Sequence, residues 1–171
     1  MKSTDVLRQS KKDHALMNSQ IEDFQQALLN LRFEGKGSLG KNLRRAQTNL
    51  SFFREELLGH MRLEEKVLFP YLGKCLPKLE SIICLLKLEH DSLRKTMDQI
   101  RDLIKKLLTH APREAAPVKV ETLRETGIYW IYLLRSHVEV ENESIYKTMS
   151  RGLRPNEKNE LAKKIHDFKT R

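Results

Sequence analysis

The chain has 171 residues, 39% hydrophobic and 32% charged, a mixture that suits one soluble domain with a core of its own. Its net charge is +9, but the basic residues are scattered in pairs such as Lys11-Lys12, Arg44-Arg45, Lys105-Lys106 and Lys163-Lys164, without aromatic interleaving, which argues against a nucleic-acid partner. The longest apolar stretch (127–134) is far too short to span a bilayer, the start lacks an apolar leader core, and Cys75 and Cys84 make neither a CxxC site nor a disulfide framework, so a cytoplasmic protein with no membrane partner is expected.

Turn-rich clusters at 35–40, 72–77, 110–117 and 151–155 divide the chain into long segments of helical period. The first segment places His14, Met17, Ile21, Phe24, Leu28 and Leu31 on one seam. The second aligns Leu43, Ala46, Leu50, Phe53, Leu57, His60, Glu64, Val67 and Tyr71. The third aligns Ile83, Leu86, His90, Leu93, Met97, Ile100, Ile104 and Leu107. The fourth aligns Leu123, Gly127, Trp130, Leu134, His137, Glu141 and Ser144. Every series steps by threes and fours, as a helix does when one face meets a core. Four such seams with short connections predict an all-α fold, an antiparallel up-down-up-down four-helix bundle over about residues 5–150. A short fifth helix at about 156–169, with Leu161, Ile165 and Phe168 on one side, is expected to pack outside it. Residues 1–171 read as a single domain.

The seams carry an anomaly. His14, His60, Glu64, His90, His137 and Glu141 are polar, yet they occupy apolar positions. His60–Glu64 and His137–Glu141 are each one helical turn apart and share a face. In an antiparallel bundle, all six fall roughly 12–18 Å from the same end, so they form one layer. A lone seam histidine is ordinarily a satisfied core residue, and a lone buried glutamate is ordinarily paired with a cation. Here no Lys or Arg stands beside them on the seams, and two unpaired buried carboxylates would cost several kcal/mol each. A bound metal removes the difficulty, and four imidazoles with two carboxylates suit two first-row ions better than one. A polar core network is the alternative. His110, at a helix end, and His166 read as surface residues.

Other metal motifs do not fit. No Glu stands three residues before any of the six histidines, as in ferritin-like bundles, and HExxH is absent. The order is His, HxxxE, His, HxxxE. It resembles the hemerythrin-like, or HHE cation-binding, family in DHALMNSQI (13–21), HMRLEEKVLFPYL (60–72), LEHDSLR (88–94) and HVEVENESIY (137–146). The resemblance spans about residues 5–150 and leaves out the fifth helix.

That resemblance implies a non-haem di-iron centre with an oxo bridge. Glu64 and Glu141 would bridge the irons, with His14 and His60 on one and His90 and His137 on the other. Glu65 projects about 140° from His60 around the helix and is expected to face solvent or to support the ligands. One position departs from the oxygen-carrying hemerythrins. Where they have a second histidine one turn after the third-helix ligand, this chain has Arg94. The resemblance therefore points to sensing, stress response or iron handling more than to simple oxygen carriage. Met17, Phe53, Leu57, Leu93, Trp130 and Leu134 are the expected lining of a dry ligand pocket for O2, NO or peroxide. Reduction of peroxide or NO is the enzymatic alternative, with no dedicated proton donor among the non-ligand acids, which look solvent-facing. An iron store or iron-responsive interaction protein is another, and the same ligands also suit zinc or manganese.

Overall fold

The computed structural model describes residues 3–33, 39–109 and 116–170, and every element among them is helical. Helix α1 spans Ser3–Phe33 and α2 spans Leu39–Leu63. Without a break, α2 passes through a wide π turn, Glu64–Leu68, into α3, Phe69–Cys75. Leu76 leaves helical space, and Pro77 opens a 3-10 turn, Pro77–Leu79, leading into α4, Glu80–Thr109. Helix α5, Ala116–Val140, repeats the plan of α2, with a π turn at Glu141–Tyr146 followed by α6, Lys147–Gly152. Helix α7 is Pro155–Lys169. Its proline sits where a missing N–H is harmless, and the Arg154 N–H donates to the Glu157 carboxylate at 2.7 Å. The expected turns at 35–40 and 110–117 lie mostly outside the described residues, as does His110, although Leu39 and Gly40 already belong to α2 and Pro117 to α5.

The long helices meet in a closed ring, α1 on α2, α2 on α4, α4 on α5 and α5 on α1. Specific pairs give the order of contact. Asp23 meets Arg45 and Asn49, while His14 meets His60. Gln25 meets Arg135, and His14 meets Asn142. Leu93 accepts the Trp130 indole N–H at 3.0 Å, and Glu89 meets His137. Gly127 lets α1 and α5 approach closely, because a Cβ there would lie 2.4 Å from Leu28 Cδ1.

Two apolar clusters form inside. The larger one runs from Met17 and Ile21 to Leu107 and Leu123, around a fully buried Trp130 whose ring lies 4.9 Å from Phe53 and 6.0 Å from Phe24. The smaller one gathers Leu68, Phe69, Leu72, Leu86, Ile145, Tyr146 and Met149 with Leu161, Ala162 and Ile165 of α7. Helix α7 is therefore more than an outer addition. It packs on α1 and on the Glu64–Leu68 turn and closes this end, with Phe168 half-buried.

The π turns correct the expected seams at two positions. Val67 and Ser144 are only partly buried, and Leu68 and Ile145 are buried in their place. The Phe69 N–H reaches back five residues to Glu64 O. A turn of that width holds one residue more than an α turn, so everything after it is shifted by one position. Pro70, which cannot donate, follows the first π turn, but the second turn contains no proline.

Candidate metal centre

Between the two apolar clusters lies a polar layer, and the structure brings together the six residues read from the seams. Five are at most 3% exposed (His14, Glu64, His90, His137 and Glu141), and His60 is 9% exposed. Each HxxxE pair straddles the start of a π turn, so both glutamates project from a widened stretch of helix. All four imidazoles present Nε2 to the centre.

They do so as two pairs. His14 Nε2 lies 3.4 Å from His60 Nε2, and His90 Nε2 lies 3.1 Å from His137 Nε2. Each carboxylate spans both pairs. Glu141 Oε2 is 3.1 Å from His14 and 3.8 Å from His60, while its Oε1 is 3.0 Å from His137. Glu64 Oε1 is 3.2 Å from His60, and its Oε2 is 3.4 Å from His90. Potential ligand atoms of Glu64, His90, His137 and Glu141 lie within 4.8 Å of one another, as do those of His14, His60 and Glu141.

Three buried carboxylate oxygens, Glu64 Oε2 and both oxygens of Glu141, have no hydrogen-bond partner. Orphaned anionic oxygens in an apolar interior are costly, and a cation at the centre satisfies them. The outward ring nitrogens agree with this. His90 Nδ1 is 2.8 Å from Glu65 Oε1, His137 Nδ1 is 2.8 Å from Glu89 Oε2, and His14 Nδ1 is 3.2 Å from Asn142 Oδ1. An Nδ1–H donated outward leaves the Nε2 lone pair facing inward, which is the tautomer a metal ligand needs. The residues present fit a metal.

Electrostatics in the metal-free chain follow from the same contacts. Burial drives the proton off His60, but the Glu64 and Glu141 carboxylates outweigh it and hold its pKa well above the ordinary value. His137, likewise opposed by burial, is raised by Glu141 and Glu89 to about 9. Burial pushes the Glu141 carboxyl up, but the imidazoles of His137, His14 and His60 close beside it hold it well below the ordinary range.

Of the two expectations for Glu65 the supporting one holds, while Glu89, Asn142 and Tyr146 were not read from the sequence. Glu65 and Glu89 do not simply face solvent, since each accepts a ring proton from a core histidine. Arg94, in the place of the absent histidine, donates to Glu65 and also reaches Asp91 at 2.9 Å. Burial raises the Glu65 carboxyl, and Arg94 and His90 bring it below its ordinary value. The Tyr146 hydroxyl donates to Glu64 Oε1 at 2.8 Å from a largely buried position. Glu65, Glu89 and Asn142 are each the sequence neighbour of a layer residue, and that adjacency was the available signal.

Phe53, Leu57, Leu93, Trp130 and Leu134, the expected pocket lining, are close-packed parts of the larger cluster. Met17 joins them there and also lines a cleft of about 310 Å³ with Leu16, Glu55, Glu56, Gly59, His60, Leu63, Phe168 and Lys169. The cleft opens between α1, α2 and the end of α7 and reaches the layer at His60. His166 is exposed, as expected, and both cysteines are free.

The sequence matches the hemerythrin HHE cation-binding domain over residues 5–149, so the chain belongs to that family. Membership implies cation binding, and the buried His/Glu cluster supplies a site for it. No curated protein and no solved structure matches significantly. Among the described residues, no helix is long and apolar enough to cross a membrane.

Proposed function

We propose that this chain is a cytoplasmic non-haem di-iron protein that binds a small ligand such as O2, NO or peroxide, in sensing, stress response or iron handling. The observation carrying this reading is that Glu64 and Glu141 each turn one oxygen toward either histidine pair, with three of those four oxygens otherwise unsatisfied. His14 and His60 would hold one ion and His90 and His137 the other. The bundle is read as antiparallel up-down-up-down and as one domain. The contact order supports this, because Asp23-to-Arg45 and His14-to-His60 ascend one helix while descending the next.

Two iron ions supply one-electron redox chemistry and open coordination positions for a small ligand. The chain's residues hold the ring tautomers through Glu65, Glu89 and Asn142, would offset part of the ions' charge with two buried carboxylates, and keep bulk water out with apolar clusters on both sides. Zinc or manganese fits the same donors but supplies less of that chemistry or none.

Tyr146 favours a second reading, reduction of peroxide or NO. Its hydroxyl places a transferable proton at the edge of the layer, on Glu64 Oε1. Turnover of peroxide or NO that falls in Tyr146→Phe would establish it.

The test of the main reading is metal content after purification without added metal, with visible spectra before reduction, after reduction and after admission of air. About two irons per chain and charge-transfer bands that return with air are expected. Stoichiometric zinc, or a folded chain that neither retains nor takes up iron, would overturn the proposal.

A further inference from the structure

Resting on the two-ion reading, we infer that the halves of the centre are unequal. The His90–His137 half binds a divalent first-row cation first and more tightly, and the His14–His60 half holds the exchangeable ion.

Three independent features point the same way. The first is the number of donors already assembled. Glu64, His90, His137 and Glu141 offer four mutually close ligand atoms, whereas His14, His60 and Glu141 offer three. A half with more donors already in place needs less rearrangement on binding. The second is the chemistry behind the rings. His90 and His137 each have a carboxylate at Nδ1, 2.8 Å away, and Arg94 pins one of these, Glu65. Among the described residues, His14 Nδ1 faces the neutral amide oxygen of Asn142, at 3.2 Å. A carboxylate on Nδ1 strengthens Nε2 as a donor more than an amide does. The third is access. His90 is wholly buried with Phe69 stacked on it at 5.8 Å, while His60 is the most exposed of the six and forms part of the cleft wall. The cleft's Glu55 and Glu56 stand one turn and slightly more before His60, so two carboxylates against the one ammonium of Lys169 leave the approach to that imidazole net negative. In this chain Arg94 thus serves the tight half indirectly, as the residue that positions Glu65.

The experiment uses the full chain stripped of metal and titrated with Co2+. Wild type is expected to fill in two resolved steps. Crystals given one equivalent should show their anomalous peak between His90 and His137. Glu89→Gln should weaken the first step about 10–100-fold and leave the second step unchanged. Asn142→Asp should tighten the second step and narrow the gap. Two ions bound with indistinguishable affinity, or a first peak between His14 and His60, would overturn the inference while leaving the two-ion reading intact. Saturation at one ion would sink the two-ion reading. That ion's place would still decide, with His90–His137 upholding the tighter half and His14–His60 overturning it. No binding of Co2+ would remove both.

Discussion

Glu64→Gln separates a metal centre from a polar core network. The amide keeps the shape of the side chain and can still accept the Tyr146 hydroxyl, which now sits 2.8 Å from Oε1. What disappears is a charge that spans both histidine pairs, on a residue 1% exposed. An ion present at 100 times its dissociation constant stabilises the fold by about 2.7 kcal/mol, so two ions contribute roughly 5 kcal/mol. For a chain of this size that is roughly 10–20 °C in melting temperature. Thermal unfolding of metal-loaded and chelated samples, wild type and variant, reads this out directly. Wild type should lose roughly 10–20 °C on chelation. The variant should show little of that gap, and the two chelated proteins should melt within about 4 °C of each other. A wild type indifferent to chelation, or a chelated variant that melts as far below chelated wild type as the loaded variant melts below loaded wild type, would refute the reasoning and return the layer to a structural role.

Further outcomes follow from the same geometry. Chelated protein should be most stable in mild acid. Because the His137 pKa is raised from 6.5 to about 9, its stabilisation is fully present below pH 6.5 and is lost as the pH climbs toward 9, on the order of 3 kcal/mol. Glu141 is shifted the other way, so its contribution is present above its ordinary 4.5 and is lost as the pH falls through its depressed value. Urea midpoints that rise from pH 6.5 to 9 would contradict this. Tyr146→Phe should cost about 2 kcal/mol in chelated protein, by removing a buried hydrogen bond to a carboxylate, and less in loaded protein, as denaturant titrations of both would show. Gly59→Ala should stabilise by up to about 1 kcal/mol, since nothing lies within 4 Å of the new Cβ, and Gly127→Ala should destabilise by about 1–2 kcal/mol against Leu28. Adding Leu28→Ala should make the Gly127→Ala substitution less harmful, and a simple sum of the two losses would argue against the contact.

The layer was legible in the sequence because six polar residues stood where three-four spacing demanded apolar ones, and each of the four long helices contributed at least one. The fold was legible through the same spacing, as far as Leu57 on α2 and Leu134 on α5. Beyond Glu64 and Glu141, periodicity misplaced the next buried position by one residue, giving Val67 for Leu68 and Ser144 for Ile145 although Tyr71 is buried as expected, because nothing in a hydropathy pattern announces a π turn. Glu89 was obscured, and Glu65 left between two expectations, for a different reason. They lie off the seams, where acidic residues normally face water, and only the neighbouring helix reveals the imidazole each one meets. The amphipathic side of α7 was visible, but what it covers depends on tertiary packing.

The two wide turns amount to one extra residue in each of two helices, at matching depth. Winding the first of them as regular α helix, with no residue removed, would swing α3 by about 100° around its axis. Leu68, Phe69 and Leu72 would leave the face that meets Ile145, Tyr146 and α7. The chain thus tolerates length changes unevenly. A single residue can be lost at a π turn, which then winds as α helix, whereas elsewhere in these helices a lost residue puts everything after it out of step.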